Sequence, residues 1–173
     1  QRFGVRLCST IPRLCSLVDG VMLMSIDGRT HLQQVRPVFA ARKPVFIDKP
    51  LAASLEDVLE IFRLARRAHV PCWSSSALRF CPRIASLVEP SRAGKVLGCA
   101  AFSPCHLEPH HPDLYWYGVH GVEILYTLMG PGCRTVQCLH DPQTDLVVGL
   151  WSDGRIGTFR GLRQGRPDYG ALV

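Results

Sequence analysis

Two short stretches of the chain concentrate side chains able to do chemistry. Asp48-Lys49-Pro50 sets a carboxylate and a cation together just after the apolar run Pro44-Val45-Phe46-Ile47. Lysine is rare here, at positions 43, 49 and 95 only. Pro50 restricts Lys49 to an extended backbone and so fixes where its side chain points. An ammonium held this way can stabilise negative charge developing on an oxygen. In the second stretch, Gly118-Val119-His120-Gly121-Val122-Glu123, His120 and Glu123 are three residues apart. On a helix they share one side and can hydrogen-bond, which orients the imidazole for general acid–base work. A third stretch, Ile26-Asp27-Gly28-Arg29-Thr30-His31, puts a carboxylate, a flexible glycine and a histidine just past another apolar run. An ordinary loop around Lys49, and a solvated Glu123 beside a helix-start histidine, have the same composition. Pattern alone leaves those alternatives open.

Other groupings carry less. Cys105-His106 with His110-His111 and Asp113 offers zinc-type ligands, but the spacing fits no recognised site and no metal is expected. The eight cysteines form no CxxC and lie mostly in apolar stretches, which reads as reduced, buried thiols. The 20 Lys and Arg against 14 Asp and Glu give a net charge of +6. That charge is scattered arginine with no focused basic face, so no nucleic-acid partner is expected. With 47% hydrophobic and 20% charged residues among 173, the chain can bury a core, which excludes wholesale disorder. No apolar run is long enough to cross a membrane, so no membrane partner is expected. Gln1-Arg2-Phe3-Gly4 shows no basic-then-apolar leader and no initiator Met, as expected of a chain that starts inside a longer reading frame, where a signal segment is not assessable; the expected location is cytoplasmic.

The elements that must position these residues follow from periodicity. Short strands are expected at Val5–Ser9, Val21–Ile26, Pro44–Ile47 and Val70–Ser74. Helical segments alternate with them at Ile11–Leu17, Thr30–Arg42 and from Ser54 onward. The last has Ser54 as its cap, Glu56 and Asp57 in its first turn, and Leu55, Val58, Leu59, Phe62 and Ala65 as its core stripe. Strand–helix alternation at this spacing means a parallel sheet, with ligands collecting at the carboxyl ends of its strands. Beyond about residue 78 the pattern changes. A helical segment at Phe80–Val88 ends at Ser91-Arg92-Ala93-Gly94, and a strand at Lys95–Pro104 and a loop follow. A helix at Gly118–Met129 then precedes strands at Thr135–Leu139, Leu146–Trp151 and Arg155–Phe159, the last two joined by the turn Ser152-Asp153-Gly154. In the Gly118–Met129 helix, Val122, Leu125, Tyr126 and Met129 make the apolar face, Ile124 and Leu128 widen it, and His120, Glu123 and Thr127 form a polar strip. One helix feeding an antiparallel meander is α+β. Two domains are expected, 1–78 and 79–173.

Val18-Asp19-Gly20-Val21-Met22-Leu23, then Asp27 to His31, then Asp48-Lys49-Pro50-Leu51, resembles the later half of the nucleotide-binding domain of the Gfo/Idh/MocA oxidoreductases. Their Glu-Lys-Pro is Asp-Lys-Pro here. Tyr117-Gly118-Val119-His120-Gly121-Val122-Glu123 resembles the His-bearing helix of their active site. The fold class implied is α/β: the C-terminal part of a Rossmann-like parallel sheet, then part of an α+β domain with a mostly antiparallel open sheet. The resemblance implies NAD or NADP as cofactor and a sugar- or cyclitol-like hydroxyl as substrate. It implies Lys49 and His120 as catalytic residues. Ser25, Asp27, His31, Asp48, Lys49 and Pro50 would bind the cofactor, and Arg79, Tyr117 and Glu123 the substrate. A full-length form would associate with itself through the open sheet. Many members carry an Asp four residues before the His. Trp116 stands there in this chain, which leaves Glu123 as the orienting carboxylate.

The family begins with strand–GxGxxG–helix, whose backbone cradles the pyrophosphate. No such fingerprint occurs in these residues. The expectation is therefore a central portion of an oxidoreductase, inactive alone, whose sheet is cut at Tyr169–Val173. The alternative is a non-catalytic binding or interaction module on a degenerate scaffold.

Overall fold

The computed structural model describes residues 3–89 and 94–173. The chain divides into two compact units, Gln1–Ser74 and Ser75–Val173.

In the first unit, β1 (Val21–Leu23), β2 (Val45–Ile47) and β3 (Cys72–Trp73) form a parallel sheet in sequence order. Met22, Phe46 and Trp73 stand in register across it. Helix α1 (Ile11–Cys15) precedes the sheet, and α2 (His31–Ala40) and α3 (Leu55–Ala68) make the crossovers. The core gathers Cys15, Val35, Val38, Phe39, Val45, Ile47, Ile61 and Ala65. A buried Val or Ile of this kind contributes about 1.5–3 kcal/mol relative to exposure.

Local chemistry sets these boundaries. Ser54 Oγ accepts the Asp57 N–H at 3.1 Å, with Glu56 and Asp57 in the first turn of α3. His69 closes α3 in the left-handed region, at φ 56°. The apolar stripe of α3 differs from expectation: Leu55 and Leu59 are exposed, while Ile61 is fully buried. Val58, Leu64 and Ala68 pack beside it, so the face toward the core is 58/61/65/68. The strand expected at Val5–Ser9 does not form. Val5 and Leu7 are exposed, and no neighbouring strand satisfies their backbone among the described residues.

The second unit holds α4 (Pro82–Ala85), α5 (Val119–Met129) and a sheet of β4 (Gly98–Pro104), β5 (Cys133–Asp141), β6 (Thr144–Trp151), β7 (Ile156–Leu162) and β8 (Gly170–Leu172). Its order is β5-β6-β7-β4-β8. The β4–β7 pair is parallel and the other neighbours are antiparallel. The expected helical segment at Phe80–Val88 is a 3-10 turn, Ala77–Phe80, followed by the short α4. Its expected end at Ser91-Arg92-Ala93 lies outside the described residues. Helix α5 lies on β4 and β7. It buries Gly121, Ile124, Leu125, Leu128 and Met129. Tyr126, expected in the apolar face, is exposed and tilts against the Trp151 ring.

Two glycines let Trp151 lie flat. Gly149 and Gly157 pair across β6 and β7, and a Cβ on either would stand 2.8 or 2.9 Å from the indole. The ring is 3% exposed, and its Nε1–H donates to the Gly130 carbonyl at 2.9 Å.

Candidate functional site

In the first unit the candidate residues sit at the carboxyl ends of β1 and β2. The Asp48 N–H donates to the Leu23 carbonyl at 2.9 Å, which ties the two strand ends together. Asp48 and Lys49 are half-buried and Pro50 is buried; the Lys49–Pro50 peptide bond is cis. Ser25 donates its hydroxyl to Gln34 Oε1 at 2.6 Å, which fixes it against α2. Asp27 caps the 3-10 turn Gly28–Thr30 by accepting the Arg29 N–H at 3.0 Å. Its carboxylate also holds the Arg29 guanidinium, with Nη2 at 2.6 Å from Oδ2.

His31 has a role that spacing does not show. It is fully buried, with Nε2 2.7 Å from the Ser25 carbonyl oxygen and Nδ1 3.1 Å from that of Leu51. Expected as a lining residue, it instead clamps the loop after β1 to the loop after Lys49. Gly28 serves the same junction. A Cβ there would meet the Ala52 carbonyl carbon at 2.8 Å and the Pro50 oxygen at 3.1 Å. Only glycine lets the Lys49 loop pass so close.

In the second unit His120 stands in the first turn of α5. Its Nδ1 is 2.8 Å from Ser76 Oγ. Its ring meets Tyr117 edge-on at 5.0 Å and Tyr169 at 5.9 Å. The Tyr169 hydroxyl donates to that of Tyr117 at 3.1 Å. Burial, with this hydrogen bond second, pushes the Tyr169 phenol up to about 12. The His106 ring lies 5.2 Å from Tyr117. The expected pairing of Glu123 with His120 is replaced: the Glu123 carboxylate is ion-paired with the Arg79 guanidinium. Within the polar strip on α5, His120 thus meets Ser76 and Glu123 meets Arg79, both from residues 76–79. Close packing sets its height, since a Cβ on Gly121 would overlap the Phe159 ring and stand 2.8 Å from Ser103 Oγ.

Ser76 and Tyr169 went unmarked in the sequence. Ser74-Ser75-Ser76 has no spacing signal, and Tyr169 follows Pro167-Asp168 in a loop without periodicity.

The cysteine–histidine stretch does not converge on a metal. No cluster of three or more suitable ligands occurs among the described residues. Cys105 is buried beside Asp145, and desolvation raises its thiol to about 11. His111 Nδ1 lies 2.7 Å from Glu108 Oε2, and that contact holds the Glu108 carboxyl below its usual range. Of the eight cysteines, Cys15, Cys99 and Cys105 are buried and Cys138 is exposed; all are free thiols. No helix of the described residues is long and apolar enough to cross a membrane.

Residues 1–76 match the GFO_IDH_MocA model, described as an oxidoreductase family with an NAD-binding Rossmann fold. No curated protein matches the chain. Among solved structures, GenD2 from gentamicin A biosynthesis, in complex with NAD, superposes with a TM-score of 0.82 at 19% identity, over 98% of this chain and 56% of that one. UDP-N-acetylglucosamine 3-dehydrogenase GnnA from Acidithiobacillus ferrooxidans gives 0.76 at 15% identity, over 96% and 58%. An oxidoreductase from Thermotoga maritima gives 0.77 at 13% identity, over 96% and 60%. The chain thus spans a little over half the length of these structures, and at such identities they speak for the fold. Together with the parallel sheet and the Asp48-Lys49-Pro50 strand end, the match over residues 1–76 likens that part of the chain to the Gfo/Idh/MocA oxidoreductases and gives the chain an α/β fold.

Proposed function

We propose that the chain belongs to an enzyme that oxidises or reduces a sugar- or cyclitol-like hydroxyl with NAD or NADP. Residues 1–78 would serve the nucleotide and 79–173 the substrate and self-association. The observation that carries this reading is the seating of Lys49 at the end of β2, within the residues that the family model matches.

The residues at this strand end fit the nicotinamide end of such a cofactor. Ser25, Asp48 and Lys49 are half-buried polar groups at adjoining strand ends, and Gly28 and His31 hold their loops together. When bound, the nicotinamide supplies a hydride acceptor or donor. Lys49 then stabilises alkoxide character on the substrate oxygen. Asp27 and Pro50, on the same strand-end loops, would contact the cofactor, and His31 ties those loops together. His120 takes or gives the hydroxyl proton. Tyr117, Arg79 and Glu123 face a polar, hydroxyl-bearing ring, for which paired charges and phenols are apt partners. Self-association uses the sheet face away from α5, where Leu139, Val148, Leu150 and Ile156 are exposed.

The test is a titration with NAD(H) and NADP(H) of the protein expressed from its complete reading frame. Turnover is then assayed by nicotinamide absorbance across cyclic polyols, aldoses and nucleotide sugars. Saturable binding with turnover of a ring hydroxyl is the expected result. Absence of saturable binding overturns the reading, and binding without any turnover favours a non-catalytic module.

A further inference from the structure

We propose that the second unit carries a binding site for a small primary ammonium with an apolar body, in a cavity against β5 and β6 where His140 and Asp113 supply the acceptors. The site shares no residue with the one assigned above to cofactor and substrate, and it does not depend on that reading.

His140 and Asp145 face each other across the β5–β6 ladder. Asp145 is 3% exposed. Its carboxylate is ion-paired with the Arg163 guanidinium, and the Cys105 thiol lies behind it at 3.9 Å. Arg163 is anchored in turn, donating from Nη1 to the Asp141 carbonyl at 3.0 Å. A carboxylate paired in this way only accepts hydrogen bonds. His140 Nδ1, 2.6 Å from Asp145 Oδ1, therefore carries the hydrogen and donates it. In the neutral ring Nε2 is then an acceptor. It meets no other group among the described residues, and the side chain is 59% exposed. A buried ion pair is a weak source of stability. What this one yields is an outward imidazole with a fixed tautomer.

A cavity of about 280 Å³ opens beside this imidazole. Leu114, Val136 and Val147 give it apolar walls, and Asp113, Cys138 and His140 line it as polar groups. Cys138 lies on the same face of β5, two residues before His140. Asp113 opens a 3-10 turn, Asp113–Tyr115, and forms no ion pair among the described residues. The Asp145 charge, by contrast, is offset by Arg163. The cavity therefore presents acceptors and a net negative charge, with a thiol as its side-chain donor. Its complement is an ammonium that gives one N–H to Nε2 and another to the Asp113 carboxylate. The apolar walls take a hydrocarbon or aryl body.

Protonation of His140 turns Nε2 into a donor and adds a positive charge, so binding weakens as pH falls through the histidine range. The other titratable groups facing it are Asp113 and Asp145, with Cys138 on its own strand and Arg163 and Cys105 behind. Burial, then the Asp145 and Asp113 charges, push the Cys138 thiol up, which keeps it neutral across that range.

The experiment is calorimetric titration of the full chain with phenethylammonium at about pH 8 and about pH 5. Phenethyl alcohol and phenylacetate serve as the neutral and anionic counterparts. Saturable binding of the ammonium is expected at the higher pH, with no binding of phenylacetate. The alcohol should bind about tenfold more weakly or worse, the scale of losing a hydrogen bond to a charged group. His140→Ala and Asp113→Asn, both at exposed positions, should each weaken the ammonium by about tenfold. His140→Ala should also remove the pH dependence. Absence of saturable ammonium binding at the higher pH overturns the proposal, as does equal binding of the alcohol or of phenylacetate. So does an affinity unchanged in either variant, or a pH dependence that survives His140→Ala.

Discussion

His31 Nε2 lies 2.7 Å from the carbonyl oxygen of Ser25, inside a fully buried imidazole whose other nitrogen faces Leu51. One side chain thereby spans the loop after β1 and the loop that carries Lys49. A buried polar clamp of this kind leaves an unsatisfied carbonyl and a void when it is truncated. His31→Ala should destabilise the first unit by about 2–4 kcal/mol. Urea denaturation followed at Trp73 reads the effect, and a midpoint within error of wild type would rule the clamp out.

Lys49→Ala should leave the fold intact and cofactor affinity within a few-fold. Turnover should fall by at least about 10²–10³, the scale of losing one preorganised charge at a developing oxyanion. Paired measurement of nicotinamide binding and of turnover separates the two. Turnover within a few-fold of wild type would remove Lys49 from the chemistry.

Gly121→Ala sets helix propensity against packing. Alanine favours the helix by roughly 1 kcal/mol. The added methyl, however, overlaps the Phe159 ring, itself fully buried. Overpacking of this sort costs typically about 1–3 kcal/mol, so net destabilisation is expected. A thermal melt of the second unit checks the sign, and a raised midpoint would show that the ring has room to yield.

Burial pushes the thiols of Cys72, Cys99 and Cys105 up to about 11, from 9.0 ordinarily. The fold thus favours the protonated form. Their contribution to stability is complete below pH 9 and is lost as pH rises from there toward 11. Denaturation midpoints should fall across that window. At neutral pH, alkylation followed by peptide mass analysis should label exposed Cys138 first and spare Cys99 and Cys105. Early labelling of either buried thiol would contradict the packing.

What was legible in the sequence follows physical lines. The placing of Lys49 just past a strand end and of His120 in the first turn of a helix was legible because each lies in a short motif at an element boundary. The parallel sheet was legible from apolar runs closed by turns. The buried face of α3 was not, because Leu55 and Leu59 keep the same helical period as the set that packs inward. The strand expected at Val5–Ser9 had the right residues but no neighbour to bond with. Ser76 reaches His120 across 44 positions. Contacts of that span depend on how the chain folds back, which local composition does not encode.

The flat seat of Trp151 gives the chain a built-in optical division. Its indole is sealed from water and bonded to Gly130, whereas Trp73, in the other unit, is half-exposed. With Trp116 replaced by phenylalanine, the emission becomes a blue component from one unit and a redder one from the other. Each half of the molecule then reports its own unfolding in a single spectrum. A substitution near Lys49 can thus be told from one near His120 by colour alone.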